Sequence, residues 1–223
     1  IMTYLQETDY PVLSEEGKHL PYEERARWHT LWIVDPLDGT KEFIKQNGEF
    51  TVNIALVEEG VPVFGVIYVP VKETLYWGEP VDGAYKMEEV TERAGRSWEE
   101  MKASALRLPC AGAGDAFVIV ASRSHLSAET EDYIEEKRKI YPRVELVSVG
   151  SSIKICRVCE GAADEYPRFA PTMEWDTAAG HAIAKASGAE IYQVGKEEPL
   201  VYNKPDLLNP WFIVKRNNTR NRC

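Results

Sequence analysis

The amino-acid sequence predicts a layered fold that mixes helices and sheets, with either α+β or αβαβα packing. Its first half is rich in strands joined by short turns, whereas strands and helices in the second half do not alternate regularly. A hydrophobic content of 44% in 223 residues supports a sizeable core. We expect the chain to divide into an α+β half over 1–116 and an α/β half over 117–223.

The first half is predicted to form an antiparallel meander packed by helices. Its apolar runs are bounded by Gly, Pro and acidic turn residues, which is typical of hairpins. Residues 17–30 are expected to form a loop or a short helix, 40–46 one or two helical turns, and 88–116 are only weakly patterned. The strands are predicted at 11–14, 32–34, 50–57, 62–69, 75–78 and 83–86.

The second half is predicted to mix longer helices with strands. Ser127 is placed to cap the first of these helices, and Gly188 to end the last. The helices are predicted at 127–140, 151–160 and 176–187. The strands are predicted at 117–121, 144–149, 163–169, 190–194 and 211–214.

Composition excludes several classes of protein. A net charge of −10 argues against a groove for polymeric nucleic acid or a cationic membrane anchor. No window is long and apolar enough for a transmembrane segment, and no basic, apolar leader pattern leads us to expect secretion. Four scattered cysteines favour a reducing cytoplasm, and the pair Cys156 and Cys159 fits buried small residues on a helix better than a zinc or redox site. Peripheral association with the inner face of the membrane and a homodimer stay open.

The start of the chain reads as the end of an amphipathic helix. Residues 1–5 contain apolar side chains at helical spacing, but neither a cap nor an initiating Met precedes them. We therefore expect N-terminal helices to be missing from this numbering.

A motif at residues 32–43 carries the strongest functional signal. Asp35 follows an apolar triplet, and Pro36 and Gly39 make a tight bend that carries Asp38. The two carboxylates, with the Leu37 carbonyl between them, form an all-oxygen site suited to Mg²⁺. Asp-Pro and Asp-Gly pairs also occur in ordinary turns, so this pattern alone does not distinguish a metal site from a turn.

Two further carboxylates are candidates for the same site. Glu15 follows the predicted strand at 11–14, although its segment also fits a capping box or a solvated turn. Asp176 begins a predicted helix, where it is either an N-cap or a cation ligand beside amides that bind phosphate. Carboxylates from three such segments are the ligands expected for two or three Mg²⁺ ions, which would then support an in-line displacement at phosphorus.

The motif resembles the signature of the Mg²⁺-dependent, lithium-sensitive phosphatase superfamily, which includes inositol monophosphatases and fructose-1,6-bisphosphatases. Within it the chain resembles the CysQ-type bacterial 3′(2′),5′-bisphosphate nucleotidases, and Lys41-Glu42 distinguishes it from inositol monophosphatases, which usually carry Asn in place of Glu42. The matching segments are Pro11-Val-Leu-Ser-Glu-Glu16, Asp35-Pro-Leu-Asp-Gly-Thr-Lys-Glu-Phe43, Asn47-Gly-Glu-Phe-Thr-Val-Asn-Ile-Ala-Leu56, Ala121-Ser-Arg-Ser-His125, Gly150-Ser-Ser-x-Lys154, Tyr166-Pro-Arg-Phe169 and Glu174-Trp-Asp-Thr-Ala-Ala-Gly-His-Ala182.

The resemblance implies the sandwich fold of the inositol monophosphatase and sugar phosphatase type, and a role for each matching residue. Thr40 would orient the attacking water, with Glu15 and Asp38 as the other catalytic residues, and the amides of Gly39 and Thr40 would receive the scissile phosphate. The implied metal ligands are Glu15, Asp35, the Leu37 carbonyl, Asp38 and Asp176. The residues implied around the nucleotide, sugar or second phosphate are Ser122, Arg123, His125, Gly150, Lys154 and Arg168.

The last group has structural alternatives. Lys154 also fits a surface position of a helix, Arg168 a partner of a structural carboxylate, and His125 a cap of the following helix.

The function implied is hydrolysis of a small-molecule bisphosphate nucleotide. The expected substrate is adenosine 3′,5′-bisphosphate, giving AMP and phosphate, or the related 3′-phosphoadenylyl sulfate, giving adenylyl sulfate, in support of sulfate assimilation. One Mg²⁺ would activate a water and a second would neutralise the leaving oxygen. The alternatives are an inositol or other sugar monophosphatase of the same fold, and a non-catalytic protein that binds metal and nucleotide.

Overall fold

Two β-sheets form the framework of the fold, here in a computed structural model that describes residues 1–18, 20–93, 95–111, 114–121 and 126–217. The larger sheet has seven strands in sequential order, of which the first two are parallel and the rest antiparallel. Its strands are β1 (Val12–Ser14), β2 (Thr30–Asp38), β3 (Thr51–Glu58), β4 (Val61–Val69), β5 (Thr74–Glu79), β6 (Gly83–Met87) and β7 (Leu106–Arg107).

The smaller sheet has five strands in the order β11-β12-β10-β8-β9. Strand β8 lies between β9 and β10 and is parallel to both, so the carboxyl ends of these three strands share one edge. Strand β12 runs antiparallel to β10 and β11. The strands are β8 (Phe117–Ala121), β9 (Val144–Ser148), β10 (Glu165–Arg168), β11 (Ala189–Gln193) and β12 (Phe212–Arg216).

The helices complete the αβαβα sandwich, which confirms the predicted fold class. Helices α6 and α7 lie between the sheets, with α7 on the larger sheet and α6 on the smaller one. Trp98 and Met101 of α4 pack on the outer face of the larger sheet, and α5 packs on β10. The helices are α1 (Met2–Leu5), α2 (Tyr22–Arg25), α3 (Thr40–Ile44), α4 (Trp98–Ser104), α5 (Ala128–Ile140), α6 (Ile153–Glu160) and α7 (Glu174–Ala186).

Among the described helices, none combines the length and the apolar character that crossing a bilayer requires.

Small residues let α7 lie directly on the backbone of the larger sheet. A Cβ atom added at Gly65 of β4 would lie 2.3 Å from the Ala179 carbonyl oxygen of α7. One added at Gly78 of β5 would lie 2.8 Å from the Cα atom of Ile183. Because the obstructing atoms are backbone, they cannot move aside as a side chain would. This contact sets the distance between α7 and the sheet, and so helps to position Asp176 in the first turn of α7.

We expect Gly65→Ala to lower the free energy of unfolding by about 1–3 kcal/mol, because the added methyl group overpacks the contact with α7. Thermal unfolding of the variant measures this loss. Gly114→Ala is the matched control, since a Cβ atom there meets no described atom within 4 Å. Equal melting temperatures for the two variants would contradict the proposed close packing.

Most predicted elements are confirmed, with three corrections. Strand β2 continues to Asp38 instead of ending before Asp35, because a bulge absorbs Pro36. Helix α7 begins at Glu174, so the N-cap is Met173 and Asp176 occupies the third helical position. The weakly patterned segment 88–116 contains α4 and β7, and the capping box of Ser97 and Glu100 was the local signal for that helix. The division at residue 116 stays a prediction.

Candidate active site

A bulge in β2 brings two aspartates together. Asp35 pairs in register with Asn53, and Asp38 pairs with Thr51, so β2 has one residue more than β3 over this stretch. Side chains three residues apart in a regular strand point to opposite faces, and the extra residue removes that alternation. Asp35 is only 1% exposed, and its Oδ1 accepts a hydrogen bond from the Leu37 N–H at 2.9 Å.

The N-terminus of α7 supplies a third carboxylate. Asp176 Oδ2 accepts a hydrogen bond from the Met173 N–H at 2.7 Å, which fixes the side chain over the first turn of the helix. One carboxylate oxygen each from Asp35, Asp38 and Asp176 lies within 4.8 Å of the others. The structure thus brings together three of the predicted metal ligands, from two elements far apart in sequence.

Glu15 lies at the same edge of the sheet but outside this cluster. Ser14 is level with Val34 in the parallel pair of β1 and β2, and the Glu15 N–H donates to the Val34 carbonyl at 3.2 Å. This parallel register places Glu15 level with Asp35, one residue beyond the paired Ser14 and Val34. Its side chain is exposed, and it is not among the carboxylates within 4.8 Å of one another.

Ser152 connects the aspartates and was not singled out from the sequence. Its backbone N–H donates to Asp38 Oδ2 at 2.6 Å, its hydroxyl lies 2.7 Å from the same oxygen, and the hydroxyl also lies 2.9 Å from the Asp176 carbonyl oxygen. Thr51 and Asn53 donate to Asp38 Oδ2 as well. Among the described residues, every hydrogen bond that Asp38 accepts reaches Oδ2, so Oδ1 is left for a cation. The Gly-Ser-Ser segment at 150–152 was the available signal for this residue.

The electrostatics of the cluster fit a cation. Burial, followed by the charge of Asp38, raises the pKa of Asp35 well above its ordinary range. The same two causes raise the pKa of Asp176 to about 6, and Glu15 adds a smaller effect on both. Buried carboxylates this close repel one another, and a divalent ion would relieve the repulsion.

We expect Mg²⁺ to stabilise the protein more at pH 8 than at pH 5. An acid whose pKa is raised by folding stabilises the folded state below its unfolded pKa, about 4 for Asp, and this contribution is lost as the pH rises through the folded pKa. For Asp176 that loss falls between about pH 4 and about pH 6. Bound Mg²⁺ needs ionised ligands, so its own stabilisation grows over the same range.

The measurement is the melting temperature with and without Mg²⁺ at both pH values, with K⁺ at matched ionic strength as the control. A shift of the same size at pH 5 and pH 8 would contradict this account of the cluster.

A cavity of about 220 Å³ adjoins the carboxylates. Its walls carry both acidic side chains and the cations Lys154 and Arg168. The lining residues are Asp38, Gly39, Glu42, Ser151, Ser152, Lys154, Ile155, Tyr166, Arg168, Thr172, Asp176, Thr177 and Phe212.

The two cations of the cavity have few partners. Lys154 is 8% exposed, and its Nζ donates to the Ser151 carbonyl at 2.9 Å. Burial lowers the pKa of Lys154 and the charge of Arg168 acts in the same direction, while the carboxylates of Asp38, Glu42 and Glu49 oppose this shift. Arg168 Nη2 donates to the Pro171 carbonyl at 3.2 Å, while its buried Nε has no partner among the described residues. Lys154 is therefore not an exposed surface residue of the helix, and the Arg168 contact is to a carbonyl group.

The remaining predicted residues are placed as follows. Thr40 is the exposed first residue of α3, and Gly39 precedes it as the N-cap with a φ of 90° that favours glycine. The Gly150 N–H donates to Glu49 Oε2 at 2.9 Å, and a Cβ atom there would lie 2.7 Å from Glu42 Cγ. The predicted nucleotide contacts Ser122, Arg123 and His125 lie outside the described residues.

Comparison with known proteins places this architecture in a family. A sequence model described as the inositol monophosphatase family matches residues 5–220. The 3′(2′),5′-bisphosphate nucleotidase CysQ of Escherichia coli strain K12 is 43% identical over 207 residues, which cover 92% of this chain and 76% of the relative. The corresponding protein of Salmonella typhimurium strain LT2 is 44% identical over the same shares.

Solved structures give the same result. The crystal structure of CysQ from Bacteroides thetaiotaomicron superposes with a TM-score of 0.93 at 64% identity, covering 96% of this chain and 80% of that one. Inositol monophosphatase II from Staphylococcus aureus MSSA476 is 20% identical and shares the fold with a TM-score of 0.72, covering 97% of this chain and 73% of that one. The chain belongs to the inositol monophosphatase family.

Proposed function

We propose that this protein hydrolyses adenosine 3′,5′-bisphosphate to AMP and phosphate. The observation that carries the proposal is that one cavity is lined both by two carboxylates of the cluster, Asp38 and Asp176, and by the cations Lys154 and Arg168. A substrate with two phosphates needs a metal site for the phosphate that is cleaved and cations for the phosphate that stays. The CysQ relatives, which are named as 3′(2′),5′-bisphosphate nucleotidases, support this choice of substrate.

The donor set fits Mg²⁺, because the clustered ligands offer only oxygen atoms at a buried and repulsive site. We assign two or three ions to Asp35, Asp38, Asp176, Glu15 and the Leu37 carbonyl. Bound Mg²⁺ would supply activation of a water and neutralisation of charge on the leaving oxygen.

The chain itself would orient the reactants. We assign Thr40 to hold the attacking water, because it begins α3 directly after Asp38 and Gly39. The amides of Gly39 and Thr40 precede the first hydrogen-bonded turn of α3 and, with the first turn of α7, would hold oxygens of the scissile phosphate. Lys154 and Arg168 would hold the second phosphate.

Several finer assignments belong to the same proposal. The 3′-phosphate of 3′-phosphoadenylyl sulfate presents the same chemistry, and removing it would place the enzyme in sulfate assimilation. We expect the enzyme to act in the cytoplasm. Peripheral attachment to the inner membrane face and a homodimer are further predictions for this protein.

Phosphate release across a panel of substrates tests the proposal. With Mg²⁺, adenosine 3′,5′-bisphosphate should give a higher kcat/KM than inositol 1-phosphate, and Li⁺ should inhibit where Na⁺ and K⁺ do not. Faster release from inositol 1-phosphate would assign the protein to the inositol phosphatases instead. Tight nucleotide binding with no release from any substrate would identify a non-catalytic binding protein.

A further inference from the structure

The turn that leads from β9 into α6 has a strained backbone. It consists of Gly150, Ser151 and Ser152, which we call the 150–152 turn. Ser151 has a φ of 45°, in the left-handed region that residues with a side chain rarely adopt. Such a conformation persists only where the surrounding structure holds it, and it is found preferentially at functional sites.

The 150–152 turn bonds both to a carboxylate of the cluster and to a cation of the cavity. The Ser152 N–H and hydroxyl lie 2.6 and 2.7 Å from Asp38 Oδ2, and so determine which carboxylate oxygen is left for a cation. The Ser151 carbonyl accepts a hydrogen bond from Lys154 Nζ at 2.9 Å. A displacement of this one turn would therefore move both a proposed metal ligand and a proposed phosphate ligand.

Glu49, in the connection between α3 and β3, anchors the turn. Its Oε2 accepts a hydrogen bond from the Gly150 N–H at 2.9 Å. A Cβ atom added at Gly150 would lie 2.8 Å from the Glu49 carbonyl oxygen and 3.0 Å from Glu49 Cβ, so the backbone of the turn lies directly on this residue. Glu49 thus holds the chain immediately before the strained Ser151, by a hydrogen bond and by close packing.

The charge of Glu49 has opposing effects on the site. It opposes the lowering of the Lys154 pKa, but it would also repel an anion that binds to Lys154. Glu49 is not among the residues that line the cavity. The hydrogen bond to Gly150, in contrast, acts in one direction only, since it keeps the turn in place. Glutamine at this position would keep an oxygen acceptor and lose the charge.

We propose that Glu49 is a positioning residue of the active site, which holds the 150–152 turn so that Asp38 and Lys154 keep their places. The inference rests on the proposed function, because that function assigns Mg²⁺ to Asp38 and the second phosphate to Lys154. Glu49 itself would touch neither the metal nor the substrate, and would act through Gly150.

The test compares Glu49→Ala with Glu49→Gln on the full chain. Glu49→Ala should raise, by about 10-fold, the Mg²⁺ concentration that gives half of the maximal increase in melting temperature. It should also lower kcat/KM for adenosine 3′,5′-bisphosphate by about 10- to 100-fold, as is typical for outer partners of metal ligands. Glu49→Gln should retain most of both properties, because it keeps the acceptor for the Gly150 N–H.

Asp164→Ala is the matched control. Asp164 Oδ2 also accepts a backbone hydrogen bond, from the Val118 N–H at 2.7 Å, but at the amino ends of β8 and β10 and away from the cavity lining. This variant should lose stability without a change in Mg²⁺ requirement or in kcat/KM. Gly150→Ala pushes the turn away from Glu49 and should reproduce both losses, so it tests the proposal if Glu49→Ala does not fold.

The results separate the inference from the proposed function. If the wild-type protein does not hydrolyse the nucleotide but Glu49→Ala still needs more Mg²⁺, the proposed function fails while the anchoring of Asp38 stands. Equal losses for Glu49→Gln and Glu49→Ala would overturn the inference, because the charge and not the hydrogen bond would then matter. A Glu49→Ala variant that melts earlier but matches Asp164→Ala in Mg²⁺ requirement and kcat/KM would also overturn it, since Glu49 would then only support the fold.

Discussion

Asp38→Asn is expected to lower kcat by roughly 10³-fold while the protein stays folded, because the loss of one ligand charge removes several kcal/mol of transition-state stabilisation. The reason lies in how the two carboxylate oxygens are used. Oδ2 accepts hydrogen bonds from Ser152, Thr51 and Asn53, and an amide oxygen in its place can accept the same bonds. The amide nitrogen of the substituted side chain would then occupy the position of Oδ1 and present two N–H donors to the cation.

Phosphate-release kinetics and thermal unfolding together check this expectation. The variant should also lose the increase in melting temperature that Mg²⁺ gives the wild-type protein. Asp82→Asn is the control, since Asp82 pairs with Lys102 and does not line the cavity. Near-normal turnover of Asp38→Asn at saturating Mg²⁺ would show that Asp38 has only a structural role in the turn.

Local patterns predicted the elements of the fold well where one face or one cap dominates. Alternating apolar residues in 50–69 define the hairpin of β3 and β4, and Ser127 caps α5 as expected. The bulge in β2 could not be predicted, because Asp-Pro favours a turn locally and only pairing with β3 keeps the strand going. The packing of α7 on Gly65 is also a long-range contact, which neither segment of the sequence predicts by itself.

The candidate site divides in the same way. The carboxylates of Asp35 and Asp38 follow from one short motif, and Asp176 follows from a helix start. Ser152 was missed because a serine after glycine has no distinctive local signal, and its role depends on contact with a residue more than a hundred positions earlier.

Lys154→Met is expected to lower kcat/KM for adenosine 3′,5′-bisphosphate by about 10- to 100-fold, which corresponds to the loss of a charge-assisted contact to phosphate. Methionine keeps the length and packing of the side chain and removes only the charge. Hydrolysis of inositol 1-phosphate, which has no second phosphate, should change little. Arg168→Ala should show the same dependence on substrate, whereas Lys102→Met is a control at the pair with Asp82.

Thermal unfolding distinguishes a phosphate ligand from a residue that supports the fold. Burial lowers the pKa of Lys154, which means that the charged ammonium is held at a net cost in folding free energy, although the Asp38 carboxylate offsets part of that cost. Removing the charge should therefore leave the melting temperature of Lys154→Met unchanged or raise it. A buried ammonium that destabilises the fold and lines the cavity is placed to bind an anionic group there. If the variant instead melts earlier and loses activity equally on all substrates, Lys154 supports the fold or the metal site, and the cations of the cavity no longer argue for a second phosphate.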